Sequence, residues 1–559
     1  MRQRVQDVVR IGDKLFSDRY PIMTLWQVQA ENFHVMRADF TRQRYISEEF
    51  GSFLMTSMPA LCHRELQDAF STMLRPRGQQ WFHAKTDSEN VNNDRDAKVW
   101  LDWASRTQRN AMYDARANFV RASKEGDGDF IAFGNAAITR EIVDYEHFLY
   151  QAWHLRDIAW DQGLTGAVNN VHFDWKPQAR QLAERKKWTL SPKVLELANS
   201  RDQQAFREIK CRRMILRADE YDLPAAQTRG KPWVSVYVDC ENETIMEEIA
   251  LRTKPVTISR WATGGTMYGK QYAYSPAAIY ALPDGRMLQQ IVLSMLTSAE
   301  MANFPPLIAV GESINGAVNL YAGGITQADA DYDERTGEVL RSLDLRFDGI
   351  KYGAEQLDRL ERNLQKTWYL DKIKFPEITK DMTAYEASKL WDNFISGALP
   401  LFEPVEIEFN AAICEGTFED MMDRGAFGPV RDMPAILRGR DINWQFDTPI
   451  TVAAEKALVG AFQAFVQTLV EGAQVDPDVV LNADMNTATR EALGGTGSPA
   501  KWLYSTDKVK QLQAQKQQEK AAAAAAQQVA TGADVATRVG NAAQSAGDAA
   551  QSLQGAGVL

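Results

Sequence analysis

The sequence predicts an α+β protein, predominantly helical, built from several packed units. Three observations lead there. The chain has 559 residues, well past the size at which a single hydrophobic core stops growing. Apolar residues recur at helical spacing through most of residues 1–198 and again after 275. Between them, from about Ile209 to Trp261, runs such as Trp233-Val234-Ser235-Val236-Tyr237-Val238 and Pro255-Val256-Thr257-Ile258 are rich in strand-forming residues.

Composition narrows the class. A hydrophobic share of 45%, a charged share of 25% and an aromatic share of 10% are those of a folded protein. A net charge of −11 excludes the basic coat of a tight nucleic-acid binder, so any contact with DNA is expected to be weak or local. Cys62, Cys211, Cys240 and Cys414 are far apart with no CxxC spacing, which suggests neither a disulfide framework nor a zinc knuckle. The opening MRQRVQDVVRIGDK lacks the apolar core of a signal peptide, and no apolar run is long enough to span a bilayer. A soluble, unexported chain is expected.

Residues 1–198 read as a helical layer. After Pro59, the residues Cys62, Leu66, Ala69, Phe70 and Met73 mark one helix face, which Arg75-Pro76-Arg77-Gly78 should end. Trp81, Phe82, Trp100, Trp103 and Phe119 read as core aromatics of that layer. All six histidines fall here without HxxxH or HExxH spacing; His147 and His154, seven apart, would share a helix face in a structural role rather than as metal ligands. Glu247 and Glu248 are adjacent, which places neighbours on different faces, so a solvated turn is expected rather than an acid/base pair.

Gly264 to Gln271 matches the P-loop pattern GxxxxGK[ST] except at the last position. Gln271 has no hydroxyl for a magnesium ion, and Ser275-Pro276 follows too soon for the required helix. A glycine-rich turn is the expectation.

Ser275 as N-cap and Pro276 at the first helical position open a helix that Pro283 should kink or restart. Beyond it Leu288, Ile291, Val292, Met295, Leu296 and Ala299 mark an apolar face; Gln289, Gln290, Ser294, Thr297 and Ser298 lie on a polar, nearly uncharged one. Phe304-Pro305-Pro306 ends it. Residues 305–350 are glycine-punctuated and acidic, a strand-and-loop module whose Asp329, Asp331, Asp333 and Glu334 read as a solvated surface, since the rest of a calcium loop is lacking. A return helix follows near Gly353, with Leu357, Leu360, Leu364 and Trp368 as a narrow stripe and Glu355 with Arg359, and Asp358 with Arg362, available as i,i+4 pairs. Lys372 to Lys380 then breaks the pattern around Pro376. Further helices include Ala453 to Val470, and Gly494 to Pro499 breaks the chain again. The Ala/Gln-rich tail after about Lys508 has few large apolar residues and reads as a frayed helix or disordered.

Several blocks together resemble the portal, or head-to-tail connector, proteins of short-tailed double-stranded DNA bacteriophages. They are Pro76 to Phe82, Asp129 to Ala136, Arg260-Trp261 through Tyr268-Gly269 to Ser275-Pro276-Ala277, Ala281 to Asp284, Met382-Thr383-Ala384 and Gly497 to Leu503. Thr448-Pro449-Ile450 stands where the family has Ser-Pro-Leu. The resemblance runs from roughly Leu15 to Val509 and implies a portal-type ring subunit, usually one of twelve copies, around a DNA channel. By position it implies a wing over residues 1–274, a first stem helix over 275–304, a clip over 305–350 and a second stem helix over 351–371. A tunnel loop over 372–382, a long helix returning to the wing over 383–440, a crown over 441–509 and a tail over 510–559 complete the expectation.

The function so implied is a non-enzymatic conduit, without cofactor or metal, at one capsid vertex. It would be assembled in the host cytoplasm, partnered by copies of itself, capsid and scaffolding proteins, the terminase and tail adaptors, and crossed by double-stranded DNA with no membrane involved. Lys372, Lys374, Phe375 and Lys380 are its expected DNA-facing loop residues. Two rivals are weighed: a packaging NTPase, resting on the near P-loop, and a tail or internal virion protein.

Overall fold

The computed structural model describes residues 2–45, 47–49, 51–143, 147–221, 230–263, 271–304, 307–309, 340–342, 349–373, 389–390, 397, 401–447, 462–474, 483–485, 488–489, 492–493, 504, 508–509 and 511–522. Among them the order opens with helices α1 (Arg2–Asp18), α2 (Tyr20–Phe33) and α3 (Met58–Leu74). Strand β1 (Phe82–Thr86) precedes α4 (Glu89–Asn93), α5 (Arg95–Met112) and α6 (Phe119–Phe133). Then come β2 (Asn135–Val143), β3 (His147–Ala152), β4 (Ile158–Gln162) and β5 (Val168–Trp175). Two short helices, α7 (Ala179–Glu184) and α8 (Pro192–Asn199), lead to β6 (Cys211–Arg217), β7 (Trp233–Asp239), β8 (Thr244–Leu251) and β9 (Val256–Arg260). The long helix α9 (Pro276–Asn303), β10 (Leu307–Ala309), β11 (Leu340–Ser342) and α10 (Gly349–Thr367) follow. A π-helical turn, Glu406–Ala411, runs into α11 (Ala412–Asp423), and β12 is Ile442–Phe446.

The strands form a five-stranded sheet β4-β5-β6-β7-β8, a three-stranded sheet β3-β2-β9 and two pairs, β1-β12 and β10-β11. Every pairing is antiparallel. The fold is mixed α+β, as expected, but its strands begin much earlier than expected: β1 to β5 all lie within the first 198 residues. The reason is double-sided burial. Residues 135–140 of β2 and 158–160 of β4 are buried one after another, so the alternation that marks a half-exposed strand is lost.

Other expectations are met or corrected locally. Cys62, Leu66, Phe70 and Met73 of α3 are buried, and the helix stops before Arg75. Trp81, Phe82, Trp100 and Phe119 are core residues, whereas Trp103 is largely exposed. His147 sits in β3 and His154 at the mouth of a 3-10 turn, so they share no helix. Glu247 and Glu248 lie within β8 rather than in a turn: Trp188 donates to Glu247 at 2.7 Å and Tyr221 donates to Glu248. Cys62, Cys211 and Cys414 are buried free thiols, and Cys240 is half-buried. Strand β12 pairs with β1, Phe82 opposite Phe446, so residues 442–446 belong to the body although they follow the expected start of a crown. Residues 462–474 are helical, overlapping the expected helix of 453–470 and running past its end, and 511–522 form an exposed helix in the tail.

The largest core gathers α3, α5, α6, β2 and β3 with Leu288 of α9, Leu360 and Leu364 of α10 and Phe409 to Phe418. A second core packs Trp26, Phe40 and Phe133 against Trp160, Val171 and Phe173. The helix pair α9–α10 is therefore rooted in the central body, and that root is where its geometry is set.

A candidate stem and its anchor in the body

The root is a joint between the end of α6 and the start of α9. Gly134 ends α6 in the left-handed region, φ 76°, and its N–H donates to the Phe130 carbonyl at 2.8 Å. Such a cap favours glycine. Close approach demands it as well: a Cβ here would overlap the Tyr274 carbonyl carbon and sit 2.5 Å from the Ser275 nitrogen. Next to it the buried Asn135 amide acts as a strand edge. Its Nδ2 donates to the Ala273 carbonyl at 2.7 Å, and its Oδ1 accepts from the Ala273 N–H at 2.9 Å. Ser275 Oγ donates to the Ile131 carbonyl at 2.6 Å and accepts from the Ala278 N–H at 3.1 Å, capping α9 while tying it to α6.

From that joint α9 runs for 28 residues, about 42 Å at 1.5 Å per residue. The expected restart at Pro283 does not occur. Proline there removes one ladder bond, and the Ser275 cap with burial of Ala277, Ala278, Ala281 and Gly285 holds the first turns. Leu288 is buried, and Ile291 packs against the core. Gly353 of α10 brings the two helices together, its Cβ position 3.3 Å from Met295 Cγ. Leu296 and Ala299, expected on this same face, are exposed instead.

The outer side of α9 is dry in character. Met287, Leu293, Leu296, Met301 and Phe304 are exposed, Phe304 by 83%. The hydroxyls between them turn back on their own helix: Ser294 donates to the Gln290 carbonyl at 2.9 Å and Thr297 to Leu293 at 3.0 Å. Gln289 is engaged within the subunit. Its Oε1 accepts from the Met55 and Thr56 N–H groups at 2.7 and 2.9 Å, and its Nε2 donates to the Thr56 carbonyl at 2.8 Å. By contrast α10 exposes Glu355, Asp358, Arg359, Arg362 and Lys366. Arg362 donates to the Asp358 backbone carbonyl at 3.1 Å. Its inner row of Leu360, Leu364 and Trp368 is buried, as the stripe predicts, and Trp368 meets Phe33 at 5.0 Å and His63 at 5.7 Å between ring centroids.

Two residues past the end of α10, Tyr369 has a φ of 56°, a left-handed turn on a non-glycine residue. The Leu370 N–H closes the turn onto the Gln365 carbonyl at 2.9 Å. Lys372, an expected DNA-facing residue, is exposed; its ammonium lies over the Tyr369 ring at 5.5 Å and its stem 3.9 Å from a Cβ placed on Gly397. Lys374, Phe375 and Lys380, the acidic Asp329, Asp331, Asp333 and Glu334, and the near P-loop from Gly264 to Lys270 lie outside the described residues. Of the expected clip, β10 and β11 are described, pairing Leu307 with Ser342.

Buried charges tie the body to the π-helical turn that precedes α11. Arg75 pairs with Asp127, donates to Asn410 Oδ1 at 3.0 Å and covers the Phe409 ring at 4.7 Å. Glu408 accepts from the Arg260 backbone N–H at 2.7 Å and pairs with its guanidinium at 2.9 Å. Arg140 meets Asp420 at 2.7 Å over Gly416, which leaves room for the guanidinium. Glu406, in the same turn, is pushed up to about 7 by burial and by the neighbouring Glu403. None of these partnerships shows in the sequence, since their members lie from 52 to 335 residues apart. Gly134-Asn135, Arg260 and Ser275-Pro276 lie inside the blocks quoted above.

A model of the family described as bacteriophage head to tail connecting protein matches residues 6–504. The chain belongs to this family of structural connectors. No curated protein matches the connector. Among solved structures, a chain from the virion of a native gene transfer agent (GTA) particle shares 11% identity at a TM-score of 0.34, covering 78% of this chain and 94% of that one. A chain from the neck of an empty GTA particle shares 11% identity at a TM-score of 0.35, covering 78% and 89%. Among the described residues no helix of the connector is long and apolar enough to cross a membrane.

Proposed function

We propose that this connector is a portal: a closed ring of about twelve copies, in the usual family size, at one capsid vertex, through which double-stranded DNA enters and leaves. The observation that carries the reading is the unlike dressing of the two rooted helices. An exposed, nearly uncharged row on α9 suits a dry contact with a neighbouring copy, and the charged face of α10 suits a wet channel. In this reading residues 1–274 are the wing, α9 and α10 the stem, 305–350 the clip that meets the terminase and later the tail adaptors, and the region after β12 leads to the crown. The virion is its destination, after assembly with capsid and scaffolding proteins in the host cytoplasm.

A conduit must not grip its cargo. Each phosphate neutralised by a fixed cation adds favourable counterion release, so a strongly basic wall would hold DNA in place. A chain of net charge −11 with a few lysines in one loop, Lys372, Lys374 and Lys380 beside Phe375, suits transient contact. The acidic Asp329, Asp331, Asp333 and Glu334 of the clip keep that end solvated. Electron microscopy of the purified full chain tests the reading: closed rings with an axial hole support it, and monomers or open filaments refute it.

A further inference from the structure

The segment between α2 and α3 is long, yet it is fixed at both ends by glutamine side chains. At its start Gln27 Nε2 donates to the Ala38 carbonyl at 3.0 Å, while Gln27 Oε1 accepts from the Phe40 and Thr41 N–H groups at 2.8 and 3.2 Å. Phe40 is buried against Trp26 and Phe133. At its end Gln289 of α9 holds Met55 and Thr56 as described. In between, the turn at Gly51 lets Leu54 pack near Val35, and Arg44 donates to the Val35 carbonyl at 2.9 Å.

This fixed loop points large apolar side chains outward. Met36 is 84% exposed and Tyr45 71%, and Phe53 and Met55 are exposed as well. The loop's arginines are engaged inside the subunit: Arg37 with Asp129 at 3.2 Å, Arg42 with Glu48, and Arg44 with the backbone. Disorder would let such side chains bury themselves. A rigid presentation that keeps them in water is the signature of a surface completed by a partner.

We propose that this loop is a docking surface for the adjacent copy of the same chain, continuous with the outer row of α9. This rests on the ring reading above. Continuity follows from helix geometry. Met55 is bonded to Gln289, and Leu293 and Leu296 stand four and seven residues further along the same face. Loop and row together expose Met36, Tyr45, Phe53, Met55, Leu293, Leu296 and Phe304, large apolar side chains of the kind that the core of an interface covers. A ring contact is heterologous, so a fixed loop beside the stem row widens one of its two unlike faces.

The test uses the full chain. Wild type and the double variant Met36→Glu/Tyr45→Glu are compared by mass photometry, with circular dichroism as a check of folding. The wild type should close rings, and the variant should remain a folded monomer with ring formation reduced by about tenfold or more. Met36→Leu/Tyr45→Phe should restore rings. A glutamate variant that closes rings like the wild type overturns the assignment and leaves the ring reading intact; a wild type that never closes rings overturns both. Should the glutamates unfold the chain, oxidation footprinting of wild type decides: Met36 in the ring should oxidise about tenfold more slowly than in a Leu293→Glu/Leu296→Glu monomer. Equal rates overturn the proposal.

Discussion

The backbone of Gly134 lies against that of Tyr274 with no room for a Cβ between them. One glycine thus sets how close the first long helix starts to the body, since the Ser275 cap follows at once. Gly134→Ala adds both the overlap and the left-handed penalty, together at least about 2 kcal/mol. Chemical denaturation should show a lower midpoint with an unchanged slope.

Asn135 tests the same joint without changing its backbone. Asn135→Ala leaves the Ala273 N–H and carbonyl buried without their partner, at a cost of about 2–4 kcal/mol. Asn135→Asp keeps the acceptor for the Ala273 N–H but loses the donor to its carbonyl, and it buries a charge. It should therefore rescue nothing, and thermal unfolding of the three proteins checks the order.

Acid should loosen the body before it reaches the usual carboxylate range. Burial lowers His63 to about 4, although the Gly128 carbonyl at 2.9 Å favours its proton. Burial, with Arg212 close by, lowers His172 to about 3, and burial beside His63 holds His34 well down. Each is neutral in the fold, while the unfolded chain takes up a proton near pH 6.5. The unfolded state then binds more protons, so stability falls as pH drops below about 6.5, by at most about 1.4 kcal/mol per pH unit for each histidine, until the folded values are reached. Urea titrations at pH 7.5, 6.5 and 5.5 measure the slope, and His172→Gln should reduce it.

Replacing Lys372, Lys374 and Lys380 by glutamine should alter DNA packaging or retention while rings still close. Lys372 is exposed and rests on the Tyr369 ring just past α10, so its loss should leave folding within about 0.5 kcal/mol. DNA packaging into particles, measured beside ring counts by microscopy, separates the two effects. Loss of the rings would refute this division of labour.

Much of the α9–α10 pair was legible because its signals are local. The Ser275-Pro276 start, the row Leu360, Leu364 and Trp368, and the stop at Phe304 depend on neighbours within two helical turns. The early strands were not legible, because β2 and β4 are buried on both faces and carry no alternation. Gln289 read as one residue of a polar, nearly uncharged face; only the fold put Met55 and Thr56 against it.

The sequence by itself determined that the chain is mixed in class and helix-rich, that two amphipathic helices enclose a glycine-rich acidic module, and, through several spaced blocks, which family it belongs to. Periodicity, caps and breakers act over a few residues, so one strand of text suffices to read them. The tertiary structure alone decided that α9 runs unbroken past Pro283 and that Asn135 pairs with Ala273. It also decided that β12 returns to β1 and that the loop after α2 is clamped with its apolar side chains outward. These depend on contacts between residues up to several hundred positions apart, whose energy exists only once the cores have closed and excluded water from the groups that meet.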